Sequence, residues 1–272
     1  MRTARLAGHL LLGTIALAAL AVTVLAVGWR VTGGTWYLVE SPSMGTAAPV
    51  ETLLLDRPPG RIAVGELVTF HPPASDQTFT HRVVAILANG GVKTKGDANS
   101  SADGWVLTPS DIVGVVDARL WYVGWVIRAL PVLAVGGFVV WLLTRYLVRA
   151  PGRPVARVVG LVVVAALAVV IVKPLVGYTV VTLNKGDGHA YGTVVSTGLL
   201  PIEVRSPGGT HIYLADGQVG TVMTPLVAGV HHYRVDITPH WTLWWVLSIG
   251  VICLSPALYA SLRGLPEEAL KS

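Results

Sequence analysis

The chain is 272 residues long, 53% hydrophobic and only 13% charged, with a mean hydropathy of +0.63. This excludes an ordinary soluble domain and predicts several membrane spans. The formal net charge of +5 is largely due to arginines near span ends, so no nucleic-acid partner is expected. The single cysteine, Cys253, excludes an intramolecular disulfide and argues against a cysteine-metal site or a cysteine nucleophile.

In chain order, a basic stretch with Arg2 and Arg5 precedes a first apolar span over 6–28. The run exceeds the roughly 7 to 15 apolar residues of a secretory h-region, so a retained anchor is expected rather than a cleavable signal. From 33 to 119 come short β-branched or apolar runs, at 36–39, 52–55, Leu67–Phe70, 80–87, Val92–Lys95 and 112–116, broken by Pro58, Pro59, Gly60, Pro72, Pro73 and the Asn89, Gly90, Gly91 turn. They predict a small, partly closed β barrel. A second span is expected at 126–144, a third at 158–176 and a fourth at 241–262, each close to the roughly 20 residues that cross a hydrocarbon core.

Arg145, Arg149, Arg153 and Arg157 crowd the connection 145–157, which places it, with residues 1–5 and the tail 263–272, in the cytoplasm. Trp121, Tyr122 and Trp125, and later Trp241, Trp244 and Trp245, supply aromatic belts at the outer interface, toward which Arg128 and Lys173 are expected to snorkel. The loop 177–240 reads as strands at 179–183, 193–196, Ile202–Arg205, His211–Leu214, 221–223 and 231–237, forming a small β sandwich of unassigned role. Its histidines, His189, His211, His231, His232 and His240, fit no zinc spacing. The expected fold class is therefore a multi-span helical membrane protein with two extracytoplasmic β domains.

The chemistry-bearing residues lie just after the first span: Ser41, Pro42, Ser43, Met44; then Thr80, His81, Arg82; then Lys95, Gly96, Asp97, Ala98, Asn99; then Asp103. A serine hydroxyl needs a neighbouring base, and imidazole titrates closest to neutrality. The imidazole in turn needs a carboxylate that fixes its tautomer and stabilises its cation. Ser43 and His81 fit the first two roles, and Asp97 and Asp103 both fit the third. Lys93 and Lys95 are rival bases. The Ser43 backbone N–H and the Ser41 hydroxyl are candidate oxyanion donors, and Met44 is expected to pack as an apolar wall of the cleft.

These strings, together with Gly65, Glu66, Leu67, Val68, Thr69, Phe70, then Val83 and Val84, and Thr94, resemble signal peptidase I of the archaeal and endoplasmic-reticulum type, in which histidine replaces the general-base lysine of the common bacterial enzymes. The resemblance covers about 38–117. It departs from the family pattern where Gly45 and Thr46 follow Met44, the first proline being Pro49, and where Gly65, Glu66 stands for a Gly, Asp pair.

The resemblance implies a membrane-bound serine endopeptidase that removes signal peptides after small residues, without cofactor or metal. Ser43 would be the nucleophile, His81 the base, Asp103 the orienting carboxylate and Asp97 a second functional or structural acid. The implied partners are signal peptides of secretory preproteins, the lipid bilayer and translocation machinery. The implied location is a multi-pass place in the cell membrane with the active site outside. The rival reading is a catalytically silent membrane scaffold that keeps a peptidase-like domain; the geometry of Ser43 and His81 separates the two.

Overall fold

The computed structural model describes residues 2–73, 75–186, 188–207, 209–225, 235–248, 250, 251 and 254. Helix and sheet alternate along the chain: α1 (Arg2–Val31), β1 (Thr35–Leu38), β2 (Leu53–Arg57), β3 (Leu67–Phe70), β4 (Phe79–Ile86), β5 (Val92–Lys95), β6 (Ile112–Leu120), α2 (Val123–Tyr146), α3 (Arg153–Val172), β7 (Tyr178–Gly186), β8 (His189–Ser196), β9 (Ile202–Arg205), β10 (His211–Leu214), β11 (Val219–Pro225) and β12 (Asp236–Pro239). The chain divides into two compact units: 1–37, 53–95 and 102–120 form the first, and 38–52, 96–101 and 121–272 the second.

The first unit is built on one six-stranded sheet in the order β1-β2-β6-β3-β4-β5. Its strands are outlined by β-branched runs, as the sequence suggests. The sheet is open, with β1 and β5 outermost, rather than a closed ring. Register shifts at Leu55/Asp56, Thr69/Phe70 and Val83/Ala85 are the bulges that curve such a sheet. Central β3 is buried along its whole length. Val68, Phe70, Val83, Val92, Leu107, Ile112 and Val115 form the core, with Phe79 and Trp105 packed against it.

In the second unit, α2 and α3 are long and apolar enough to cross a membrane. They pack closely because glycines face valines. A Cβ on Gly136 would come within 2.5 Å of Val164, and one on Gly160 within 2.7 Å of Val140, the small-residue approach typical of apolar helix pairs. The third span is displaced from its expected position. It begins at Arg153 and ends at Val172, so Arg153 and Arg157 belong to the helix, where their side chains bond the Val148 carbonyl (2.9 Å) and the Thr144 hydroxyl (3.2 Å). Pro174, which cannot continue a helix, fixes the early stop. Of the expected fourth span, 243–248 are helical, and Ile249, Ile252, Cys253 and 255–262 lie outside the described residues.

Two three-stranded sheets, β10-β9-β12 and β11-β8-β7, share a core of Val194, Ile202, Val204, Leu214 and Val222. This is a sandwich, with β7, β8 and β11 longer than the runs marked in the sequence. The strand expected at 231–237 is β12, Asp236–Pro239; residues 231–234 are outside the described set.

Candidate active site

The first unit holds the imidazole and its carboxylate. His81 lies on β4, where alternate residues His81 and Val83 face inward, and it is only 4% exposed. Its Nδ1 is 2.7 Å from Asp103 Oδ2. The Thr94 hydroxyl on β5 donates to the same oxygen at 2.6 Å, and the Asp103 N–H donates to the Thr94 carbonyl at 2.9 Å. Asp103 is thus fixed by one residue through both main chain and side chain.

A carboxylate oxygen at Nδ1 requires a proton on that nitrogen, which leaves the lone pair of the neutral ring on Nε2. Phe70 and Phe79 stand edge-on to the ring, each with its centroid 6.0 Å away. They exclude water from the pair and hold the ring's rotamer. Lys93 and Lys95 alternate with the buried Val92 and Thr94 along β5, so strand parity turns both lysines to the face opposite Thr94 and its bond to Asp103.

The second unit holds the serines. Pro42–Ala47 is a short 3-10 segment entered from an extended Ser41 and broken by Gly45, whose φ of 51° is readily adopted only by glycine. Ser43 is half-buried, and its Oγ is 3.2 Å from the Ser41 Oγ. The Ser43 carbonyl accepts the Ala98 N–H at 2.8 Å. A Cβ on Gly96 would lie 2.8 Å from that same carbonyl, so the Gly96–Asn99 turn can approach only because position 96 has no side chain. Asp97 is an exposed residue of this turn, which the Asn99 N–H closes onto the Gly96 carbonyl at 2.9 Å. Met44, 1% exposed, is packed inside.

Of the two carboxylates that the sequence leaves open, Asp103 is the one bonded to His81. Sequence reasoning missed Thr94, Phe70 and Phe79 as partners of that pair; the β4–β5 and β3–β4 registers bring them there. It also missed Glu51. This residue is buried at a φ of 67°, and its Oε1 is 2.7 Å from Arg128 Nε at the start of α2. Burial pushes the Glu51 carboxyl above its usual range, against the opposing pull of the Arg128 guanidinium.

Of the two cations expected to snorkel, Arg128 stays half exposed, whereas Lys173 is buried. Arg128 pairs with Glu51, and Lys173 pairs with Asp216, because carboxylates of the flanking loops lie within reach of both. Among the histidines, His211 pairs with Glu203, and His240 meets Tyr213 edge-on, with ring centroids 4.6 Å apart. His231 and His232 are outside the described residues. No protein-family model matches the chain, and no curated protein matches it at a significant level.

Proposed function

We propose that the protein is a membrane serine endopeptidase of the signal peptidase I kind, in which Ser43 attacks the scissile carbonyl and His81 Nε2 takes its proton. The observation that carries this reading is the buried Thr94–Asp103–His81 array. A desolvated carboxylate on Nδ1 keeps the basic lone pair on Nε2 and stabilises the imidazolium as the proton arrives. The Ser43 N–H and the Ser41 hydroxyl, already beside the Ser43 Oγ, would donate to the tetrahedral oxyanion. His81 then protonates the leaving amine. Water, deprotonated by the same nitrogen, releases the acyl group and restores Ser43.

On this reading α1, α2, α3 and the segment beginning near Trp241 span the membrane, with Arg145 and Arg149 in the cytoplasm and both β regions outside. A signal peptide held in the bilayer by its apolar segment presents its small-residue cleavage site at that outer face. The substrate strand would add to a sheet edge of the catalytic region.

The test is cleavage of a model preprotein by protein reconstituted in vesicles. Ser43→Ala, His81→Ala and the double variant are each expected to lose about three orders of magnitude or more in kcat, with no further loss in the double. Near-normal turnover by Ser43→Ala would eliminate the mechanism and leave the silent-scaffold reading.

A further inference from the structure

The Ser43 segment does not stand alone within its unit. Its glycine, Gly45, is pressed against the sandwich: a Cβ there would lie 2.9 Å from Val219 Cγ2, at the start of β11, and 3.4 Å from the Gly217 carbonyl. The approach is reciprocal. Gly217, at a φ of 74°, leaves room for a Cβ only 3.0 Å from Pro49 Cγ and 3.2 Å from the Gly45 carbonyl. Gly217 and Gly45 are therefore two left-handed residues in adjoining chain segments, each without the side chain that would separate them.

The turn that carries Gly217 is fixed on three sides. The Ala215 N–H donates to the Gln218 side-chain oxygen at 2.8 Å, and the Gln218 N–H closes onto the Ala215 carbonyl at 2.9 Å. The Gly217 N–H bonds the Ser196 carbonyl of β8 at 2.8 Å, and the Ser196 N–H answers to the Gln218 carbonyl at 3.1 Å. Asp216 is pinned by the buried Lys173 at the end of α3. The Lys173 ammonium in turn sits 5.0 Å from the Trp125 ring and 5.7 Å from the Tyr122 ring. A turn tied to a sheet and clamped to a helix end is a rigid wall.

We infer that the sandwich is a positioning device for the nucleophile: the Ala215–Gln218 turn and Val219 set the path of the Ser43 segment, with Gly217 and Val219 as the positioning residues. This rests on the reading of Ser43 as the nucleophile. It also accounts for the glycine at position 45, where a side chain would strike Val219. The turn touches the segment two and more residues beyond Ser43, so it acts through backbone placement and not through contact with substrate. Displacement of a nucleophile by about 1 Å costs on the order of a hundredfold in rate.

The experiment uses the full-length protein. Gly217→Ala should reduce kcat per folded molecule by about tenfold or more, with KM within about twofold and the pH profile unmoved. Adding Pro49→Ala, which removes the Cγ the new methyl meets, should restore part of the loss. Val219→Ala serves if Gly217→Ala does not fold, and should lower kcat about threefold. Independently of cleavage, Ser43→Cys in a Cys253→Ser background reports the segment through its alkylation rate, which Gly217→Ala or Val219→Ala should change by about threefold or more. If alkylation changes but no form of the protein cleaves, positioning stands and the peptidase reading falls. If alkylation and kcat are both unmoved in the folded variants, or Pro49→Ala restores nothing to Gly217→Ala, the sandwich does not position Ser43.

Discussion

Asp56 offers the sharpest quantitative test of the energetics. It is wholly buried on β2, and among the described residues neither carboxylate oxygen has a hydrogen-bond partner that meets ordinary geometry. Burial drives its pKa from 3.8 up to about 6, with a weaker opposing influence from Thr69, whose hydroxyl is engaged with Thr80 at 2.9 Å. Neighbouring Arg57 gives no compensation, since its guanidinium bonds Glu66 at 2.9 Å and lies 3.9 Å from Asp117.

A pKa of about 6 in the folded chain, against an ordinary value near 4 when unfolded, means that the folded state holds a proton which the unfolded state releases. The contribution of Asp56 to stability is therefore most favourable below about pH 4, falls as pH rises toward about 6, and carries the full penalty above that, on the order of 3 kcal/mol. Asp56→Asn removes the charge and keeps the shape. The assay is the difference in thermal midpoint between Asp56→Asn and the parent protein in detergent, followed by tryptophan fluorescence. The asparagine form should gain relative to the parent by several degrees between about pH 4 and about pH 8. A constant unmet hydrogen bond of the amide shifts the whole curve but not its slope. A difference that is flat across this range, or one that favours aspartate as pH rises, refutes the account of an uncompensated buried carboxylate.

The array around His81 makes graded predictions for turnover. Asp103→Asn should fold yet lose about three orders of magnitude in kcat, whereas Thr94→Val, which deletes one hydrogen bond to the charged carboxylate, should lose about tenfold; equal losses would mean that Thr94 does more than orient. Asp97→Asn should leave kcat within about threefold, and a greater loss than that of Asp103→Asn would move the triad role to the turn. Lys95→Ala should retain activity, and His81→Lys should not, since lysine brings another reach and pKa. Single cysteines at Ser75 and Asn184 should react with an impermeant thiol reagent added outside intact cells, and one at Gly152 should not; the reverse pattern would put the serines on the wrong side for an exported substrate.

How far the sequence reveals this molecule depends on the range of the interaction that decides each feature. Strands announced by β-branched runs between Gly and Pro, such as Leu67–Phe70 and Val92–Lys95, lie where local pattern puts them. The early start of α3 does not show in a hydropathy reading, because Arg153 and Arg157 depress the local average while being good helix formers, with partners in the loop after α2 and on α2 itself. At the candidate site, side-chain chemistry narrowed the carboxylate to Asp97 or Asp103, and family resemblance favoured Asp103. No spacing rule reveals Thr94 as its second partner, since that bond depends on how the chain after β5 returns past Thr94. Gly45 and Gly96 stand in or beside the sequence motifs and Gly217 in none of them; which neighbour each admits is a property of tertiary approach.

The basic residues Arg128 and Lys173 show what a local reading of charge leaves out. In isolation, Arg128 and Lys173 are cations at the margin of apolar helices, and the low-energy solution is to extend toward water. Arg128, half exposed, meets the buried Glu51, and the buried Lys173 meets the partly exposed Asp216; removing Arg128 or Asp216 would leave a buried charge uncompensated. The Arg128 pair has a further consequence. Glu51 occupies a left-handed conformation that a residue with a Cβ keeps only when its surroundings over-determine it. Here the Glu51 N–H bonds the Val39 carbonyl at 2.6 Å, its carbonyl accepts the Gly124 N–H at 3.0 Å, and its side chain is held by Arg128. Gly124 permits that approach, since a Cβ there would lie 2.5 Å from the Glu51 carbonyl oxygen. The first turn of an apolar helix thus grips the far end of the loop that carries Ser43. Charge that would have served only as a membrane anchor is used to set backbone geometry in the serine-bearing segment.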